Sequence, residues 1–207
     1  MTTIDRIMRT APVIPVLVIE RLEHARPLAE ALVSGGLHVL EVTLRTKVAL
    51  DAIREMRSVD GAVVGAGTVK NADDLQRASD AGSEFIVSPG LTSTLARAAI
   101  DMNIPFLPGV SNAGDIMKGL DHGLTHFKFF PAVPSGGIPA LKALSAPFGE
   151  VSFCPTGGIT MGTAPDWLSL DQVLCVGGSW LVPKGSPDFP NIRGRAAMAS
   201  NIGRYLD

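Results

Sequence analysis

Short β-rich runs return along this 207-residue chain roughly every 20–25 residues, and the recurrence leaves few folds open. Eight are found: "APVIPVLVI", "HVLEVTL", "AVVGAGT", "FIVSPG", "IPFLPGV", "HFKFFPA", "VSFCPTGG" and "VLCVGGSW". Between them lie segments with the apolar period of amphipathic helices, such as "HARPLAEALVSGG", "KVALDAIREMRSV", "NADDLQRASDAG", "TSTLARAAIDM" and "NAGDIMKGLDHG". Several of these end at glycine, as helices commonly do. Alternation of strand and helix without a composition break or a Pro/Ser-rich linker predicts one α/β domain spanning residues 1–207 around a parallel sheet. Eight units favour closure, so the expected architecture is a compact (β/α)8 barrel. An open doubly wound sheet is the alternative, and it needs a dinucleotide turn after its first strand. The nearest candidate, "GAGTVK", follows the third run and has Lys70 where the last glycine should be.

Hydrophobic residues make up 46% of the chain and charged residues 18%, a globular balance biased toward burial. With a net charge of −2 and no basic run, nucleic acid and anionic membrane are not expected partners. Apolar runs are broken by Gly, Pro or charge well short of a membrane span, and the N-terminal segment lacks the pattern of a leader, so a soluble cytoplasmic protein is expected. Cys154 and Cys175 sit in apolar runs without metal or redox spacing and read as small core residues. His24, His38, His122 and His126 form no HxxxH or HExxH set, so no metal site is expected.

Strand parity turns this architecture into a test for chemistry, because alternate side chains face opposite sides and active sites gather at the C-terminal strand ends. In "VLEVTLR", Leu40, Val42 and Leu44 suit the helix-facing side, which leaves Glu41, Thr43 and Arg45 toward the interior. Such charges are costly inside unless paired or used. A structural ion pair is one reading, and an acid/base beside an anion clamp is the stronger one. In "HFKFFPA", Phe127 and Phe129 fit the outward set while His126, Lys128 and Phe130 point inward. Burial disfavours the charged form of an amine, and an amine without its extra proton is a nucleophile. The plainer alternative is a lysine that snorkels to water. The same count through "AVVGAGT" turns Val64, Ala66 and Thr68 inward, with the Thr68 hydroxyl at the mouth. The last two runs end in "PTGGI" and "VGGSW", and glycine pairs at these two positions suit backbone binding of a phosphate. Together these groups suggest an enzyme acting on a phosphorylated keto acid through an imine on Lys128, with Glu41 moving protons.

At these residues the chain resembles the class I aldolases for 2-keto-3-deoxy-6-phosphogluconate (KDPG) and 4-hydroxy-2-oxoglutarate (KHG), the Entner–Doudoroff family. The segments "PVIPV", "GGLHVLEVTLRT", "VGAGTV", "SPGLT", "IPFLPGVS", "HFKFFPA", "PFGEVSFCPTGGI" and "VLCVGGSWLVP" carry the resemblance in order from about Pro12 to Pro183. It implies a small (β/α)8 barrel, assembled as a homotrimer, that releases pyruvate and glyceraldehyde 3-phosphate with neither metal nor cofactor. It further implies that Lys128 forms the Schiff base, that Glu41 is the acid/base, and that Arg45 and Thr68 hold the pyruvate carboxylate with Pro89 alongside. By the same resemblance Phe130 packs on the pyruvate, Thr156 meets the hydroxyls of the aldehyde half, and Gly157, Gly158, Gly178 and Ser179 cradle the phosphate. The segment after Pro183 is not diagnostic; Lys184 there is either a phosphate contact or, more simply, a solvated loop lysine.

Three competitors share part of this pattern. A relative acting on the galactonate epimer or on 4-hydroxy-2-oxoglutarate would use the same lysine, with Thr156 and Ser179 the candidates for choosing the epimer. A non-covalent isomerase would tolerate methionine at position 128. A phosphometabolite binder would need the glycine loops but not Glu41 and Lys128 together.

Overall fold

Each β-rich run forms parallel strand in the computed structural model, which describes residues 3–183 and 185–202. A short helix, α1 (Ile4–Arg9), precedes β1 (Val13–Leu17). There follow α2 (Ala25–Ser34), β2 (Val39–Thr43), α3 (Ala49–Met56), β3 (Val63–Gly67), α4 (Ala72–Asp80), β4 (Ile86–Val87) and α5 (Ser93–Asp101). The second half runs β5 (Phe106–Leu107), β6 (Gly109–Val110), α6 (Ala113–Leu120), β7 (His126–Phe129), α7 (Gly137–Ser145), β8 (Ser152–Phe153), α8 (Ala164–Leu168), β9 (Val176–Gly178) and α9 (Phe189–Ser200). Helix starts are encoded locally: the side chains of Asn71, Thr92 and Asn112 accept from the amides of Asp74, Leu95 and Asp115 at the heads of α4, α5 and α6. Each such cap contributes about 1 kcal/mol.

The sequence predicts one closed sheet of eight strands. The described residues instead form two curled parallel sheets, of six strands in the order β5-β4-β3-β2-β1-β9 and of three in the order β6-β7-β8. The extra strand arises in the fifth run, "IPFLPGV", which Pro108 divides. Phe106 and Leu107 pair with β4, whereas Gly109 and Val110 pair with β7. Proline has no amide hydrogen to give a ladder, but the Pro108 carbonyl accepts from Lys128 N at 2.8 Å. At the other junction, Leu174 N donates to Phe153 O at 3.1 Å and Gly177 N to Pro155 O at 2.8 Å.

Side chains sort into two layers. Leu40, Val42, Val64, Ala66, Phe127, Phe129 and Phe153 join the large cluster under the helices. Ile14, Val39, Phe85, Val87, Leu107, Cys154 and Cys175 fill the concave interior, together with Ile7 and Met8 of α1. The alternation predicted for β2 and β7 is present. That predicted for β3 is corrected: Val64 and Ala66 face the helices, and the inward positions are Gly65 and Gly67. β3 ends at Gly67, and Thr68 takes a left-handed backbone with φ 62°, which breaks the alternation.

The undiagnostic stretch after Pro183 holds α9, whose Ala196 packs so tightly on Gly35 that a Cβ there would lie 2.5 Å away. Ser200 Oγ donates to Gly35 O at 3.1 Å, tying the last helix to the end of α2. At the opposite end of β7 from the cavity, His126 Nε2 lies 3.1 Å from Asp5 Oδ1 and anchors α1. The hydrogen bond from His126, assisted by Arg9, holds the Asp5 carboxyl below the usual carboxylate range.

Two outcomes are expected. Phe85→Ala removes a fully buried ring from the interior and should cost about 3–5 kcal/mol, read as a lower urea midpoint. Asp5 is held lower when folded, so its contribution is present above the ordinary value of 3.8 and lost as pH falls through the folded one. Its side chain is 42% exposed, so Asp5→Asn should cost less than about 1 kcal/mol near pH 7, a difference that shrinks as pH falls through the folded value.

Candidate active site

Lys128 projects from the middle of β7 and Glu41 from the middle of β2, so the two cross the concave space from different sheets. Lys128 Nζ donates to Glu41 Oε1 at 3.1 Å and to Oε2 at 3.3 Å. Only 7% and 4% of the two side chains remain exposed, so each charge depends on the other. The Phe130 ring lies beside the amine, its centroid 5.4 Å from Nζ. That distance suits a cation–π contact.

Above this pair opens a cavity of about 950 Å³. Nine of the residues singled out in the sequence line it: Lys128, Glu41, Arg45, Thr68, Pro89, Phe130, Thr156, Gly157 and Ser179. They come from six strand runs, Lys128 and Glu41 from within their strands and the rest from beyond the strand ends, brought together by the parallel arrangement. Arg45 lies two residues beyond β2, exposed, with no ion pair among the described residues. Thr43 also lines the cavity, but its hydroxyl donates to Leu17 O at 2.8 Å and is committed to holding β1 against β2. Pro89 can approach because residue 109 is glycine: a Cβ there would lie 2.3 Å from the Pro89 carbonyl.

Gly158 and Gly178 are not among the lining residues. Gly178 pairs with Pro15, and a Cβ on it would meet the Trp180 ring and Val13. Gly158, at φ +82°, abuts Val133. Lys184 lies outside the described residues.

A second wall was not nominated from the sequence. It comprises Val16 of β1, Val18, Ile19, Glu20, Arg21 and His24 of the connection that follows and Leu28 of α2, with Val182, Pro183, Gly185, Ser186 and Pro187 after β9. His24 meets Phe189 edge-on at 6.4 Å, which joins the two connections across the cavity rim. The run "IERLEH" follows a strand end like the others, and that position was the available signal.

Cys154 and Cys175 lie in the interior cluster beneath the pair, both as free thiols. A hydrogen bond with Cys154 and complete burial push the Cys175 thiol well above its ordinary range, so it stays neutral. Among the described residues no three His, Cys, Asp or Glu side chains group as a metal site.

A parallel α/β sheet with a buried lysine–carboxylate pair beneath a polar-rimmed cavity has the build of an enzyme for small, charged metabolites. Comparison with known proteins narrows this. The family model "KDPG and KHG aldolase" matches residues 4–194, and the chain belongs to that family. It is 58% identical over 204 residues to the 2-dehydro-3-deoxy-phosphogluconate aldolase of Zymomonas mobilis, covering 99% of this chain and 98% of that one. Among solved structures, the 2-keto-3-deoxy-6-phosphogluconate aldolase of Zymomonas mobilis ZM4 with 3-phosphoglycerate superposes with a TM-score of 0.96, at 58% identity, over 98% of this chain and 97% of that one. The KDPG aldolase from Legionella pneumophila, with pyruvate captured as a covalent carbinolamine, gives 0.93 at 45% identity over 96% and 98%.

Removing one member of the buried pair should be costly. Lys128→Met leaves the Glu41 carboxylate without its partner and is expected to lower stability by about 3–5 kcal/mol in urea denaturation. Lys128→Met/Glu41→Leu, which removes both charges, should recover most of that loss.

Proposed function

We propose that this protein is a class I aldolase that cleaves 2-keto-3-deoxy-6-phosphogluconate to pyruvate and D-glyceraldehyde 3-phosphate in the Entner–Doudoroff pathway. 4-Hydroxy-2-oxoglutarate would be a secondary substrate. The observation that carries this reading is the buried Lys128–Glu41 contact at the floor of the cavity, in a chain of this family. The carbinolamine captured in the Legionella protein and the phosphorylated ligand in the Zymomonas protein support the same chemistry.

In this mechanism Lys128 gives up a proton to Glu41 and attacks the C2 ketone. The carbinolamine hydroxyl takes that proton back from Glu41 and leaves as water, which forms an iminium and restores the carboxylate. Glu41, directly or through a water, takes the proton of the C4 hydroxyl; the C3–C4 bond breaks, and its electron pair moves into the iminium as an enamine. The aldehyde leaves, C3 of the enamine takes a proton from Glu41, and water releases pyruvate and the lysine. The iminium is the electron sink, so the cycle calls on neither a metal nor an organic cofactor. Arg45 is suited to the substrate carboxylate because it lines the cavity and has no ion pair among the described residues. Thr68 and Pro89 would flank that carboxylate, Phe130 would pack on the pyruvyl carbons, and Thr156 would meet the C4 hydroxyl. Gly157 and Ser179 on the rim, with the neighbouring Gly158 and Gly178, would receive the phosphate.

We also infer that the two sheets form one (β/α)8 barrel and residues 1–207 one domain. The shared fifth run and the hydrogen bonds between Phe153–Pro155 and Leu174–Gly177 support this. A homotrimer in the cytoplasm is the assembly and setting implied by the family resemblance. Among the described residues no helix is long and apolar enough to cross a membrane.

Incubation with pyruvate and borohydride, followed by intact mass and peptide mapping, tests the imine. One reduced pyruvyl group on Lys128 is expected, and its absence at saturating pyruvate removes the mechanism. Lys128→Ala should lose both adduct and turnover. Glu41→Gln should still form some adduct while cleavage slows by a factor on the order of 10² to 10⁴; an unchanged rate would make Glu41 structural.

A further inference from the structure

Gly67 closes β3 beside the buried pair, opposite Thr43 in the β2–β3 ladder. A Cβ built on it would lie 2.1 Å from Glu41 Oε1 and 2.7 Å from both Cδ and Cγ. The collision therefore involves the whole carboxylate end of Glu41. Gly67 is not among the residues with a left-handed backbone, so conformation does not explain a glycine there. Space does: the Glu41 carboxyl group occupies the volume a side chain would fill. One pleat down the same strand, Gly65 poses a comparable problem with a different neighbour, since its Cβ would lie 2.5 Å from the Phe85 ring. The two glycines share a strand face and differ in what they admit. One makes room for a core ring, the other for the proton-transfer group.

We propose that Gly67 is a positioning residue for the reaction, its missing side chain being the seat that holds the Glu41 carboxylate against Lys128. The inference rests on the reading of Glu41 as the acid/base. Glu41 is 3% exposed and has little room to retreat. A methyl group at position 67, whose three nearest neighbours would all be Glu41 atoms, would displace the carboxylate from its 3.1 Å contact with Nζ. Misplacing a catalytic group by about 1 Å costs on the order of 10²-fold in rate. Because the displacement affects proton transfer, it should appear in kcat and its pH profile rather than in KM.

A double-mutant cycle decides the matter, with kcat, KM, the pH profile of kcat, borohydride-trapped pyruvate and urea midpoint measured for each variant. Gly67→Ala is expected to lower kcat about 10- to 100-fold, with KM within about threefold and an altered pH profile. In the Glu41→Gln background the same substitution should add less than about twofold, because the function it acts through is already gone. Gly65→Ala should lower the urea midpoint while leaving kcat and the pH profile of the folded protein within about twofold. The inference is overturned if Glu41→Gln is impaired while Gly67→Ala turns over normally, or if the two losses simply add. Failure of the underlying reading looks different, since Glu41→Gln itself would then keep the parent rate. Should Gly67→Ala not fold, Gly67→Ala/Glu41→Ala, which removes Cγ and the whole carboxyl group from the contested volume, is expected to be soluble. Insolubility of that pair as well would count against the seat.

Discussion

A single buried ion pair sets the terms for the centre of this molecule. Lys128 and Glu41 stand on strands of different sheets, and among the described residues neither has a second ion-pair partner. Burying two charges costs several kcal/mol each unless geometry and attraction offset it. The surrounding residues meet that condition by excluding alternatives: Phe130 covers the amine, Gly67 admits the carboxylate, and the apolar interior cluster lies beneath. Packing on both faces of the sheet thus has a local task, which is to keep two groups at contact distance where water cannot separate them.

The fifth run shows how the scaffold reaches the same point from another direction. Pro108 divides it, and the two halves belong to different sheets. Its carbonyl holds the amide of Lys128, and the following glycine lets the Pro89 backbone close in. One short segment therefore sets both the height of the lysine on β7 and the position of a cavity wall. The end of β1 acts similarly, since Leu17 O accepts from the Thr43 hydroxyl and so fixes β1 against the strand that carries Glu41.

Much of this was legible in the sequence because period and chemistry agreed. The alternation of β2 and β7 separated Glu41 and Lys128 from their apolar neighbours without any structure. The count failed in β3, where the strand ends at Gly67 and a left-handed Thr68 brings its side chain to the cavity by a route that parity does not describe. It failed again at Pro108, because one continuous β-rich run gives no sign that its halves pair with different neighbours. α9 carries little apolar signal, since the residues it buries are Ile192, Ala196 and Ala199, too small and few to stand out among polar ones. The second cavity wall escaped for another reason: attention to reactive side chains passes over Val18, Ile19 and Leu28, which contribute shape rather than chemistry.

The short helix before the first strand has a consequence for traffic. Ile7 and Met8 of α1 are packed into the interior cluster, and His126 ties the helix to the underside of β7. The lower end of the concave space is stoppered, while the upper end opens between Arg45, Pro89 and Ser179. Among the described residues the cavity is thus closed beneath the pair and opens at a neck on the side away from α1. In the proposed reaction the fragment nearer the neck must leave before the one bound to the floor, so the architecture itself imposes a queue.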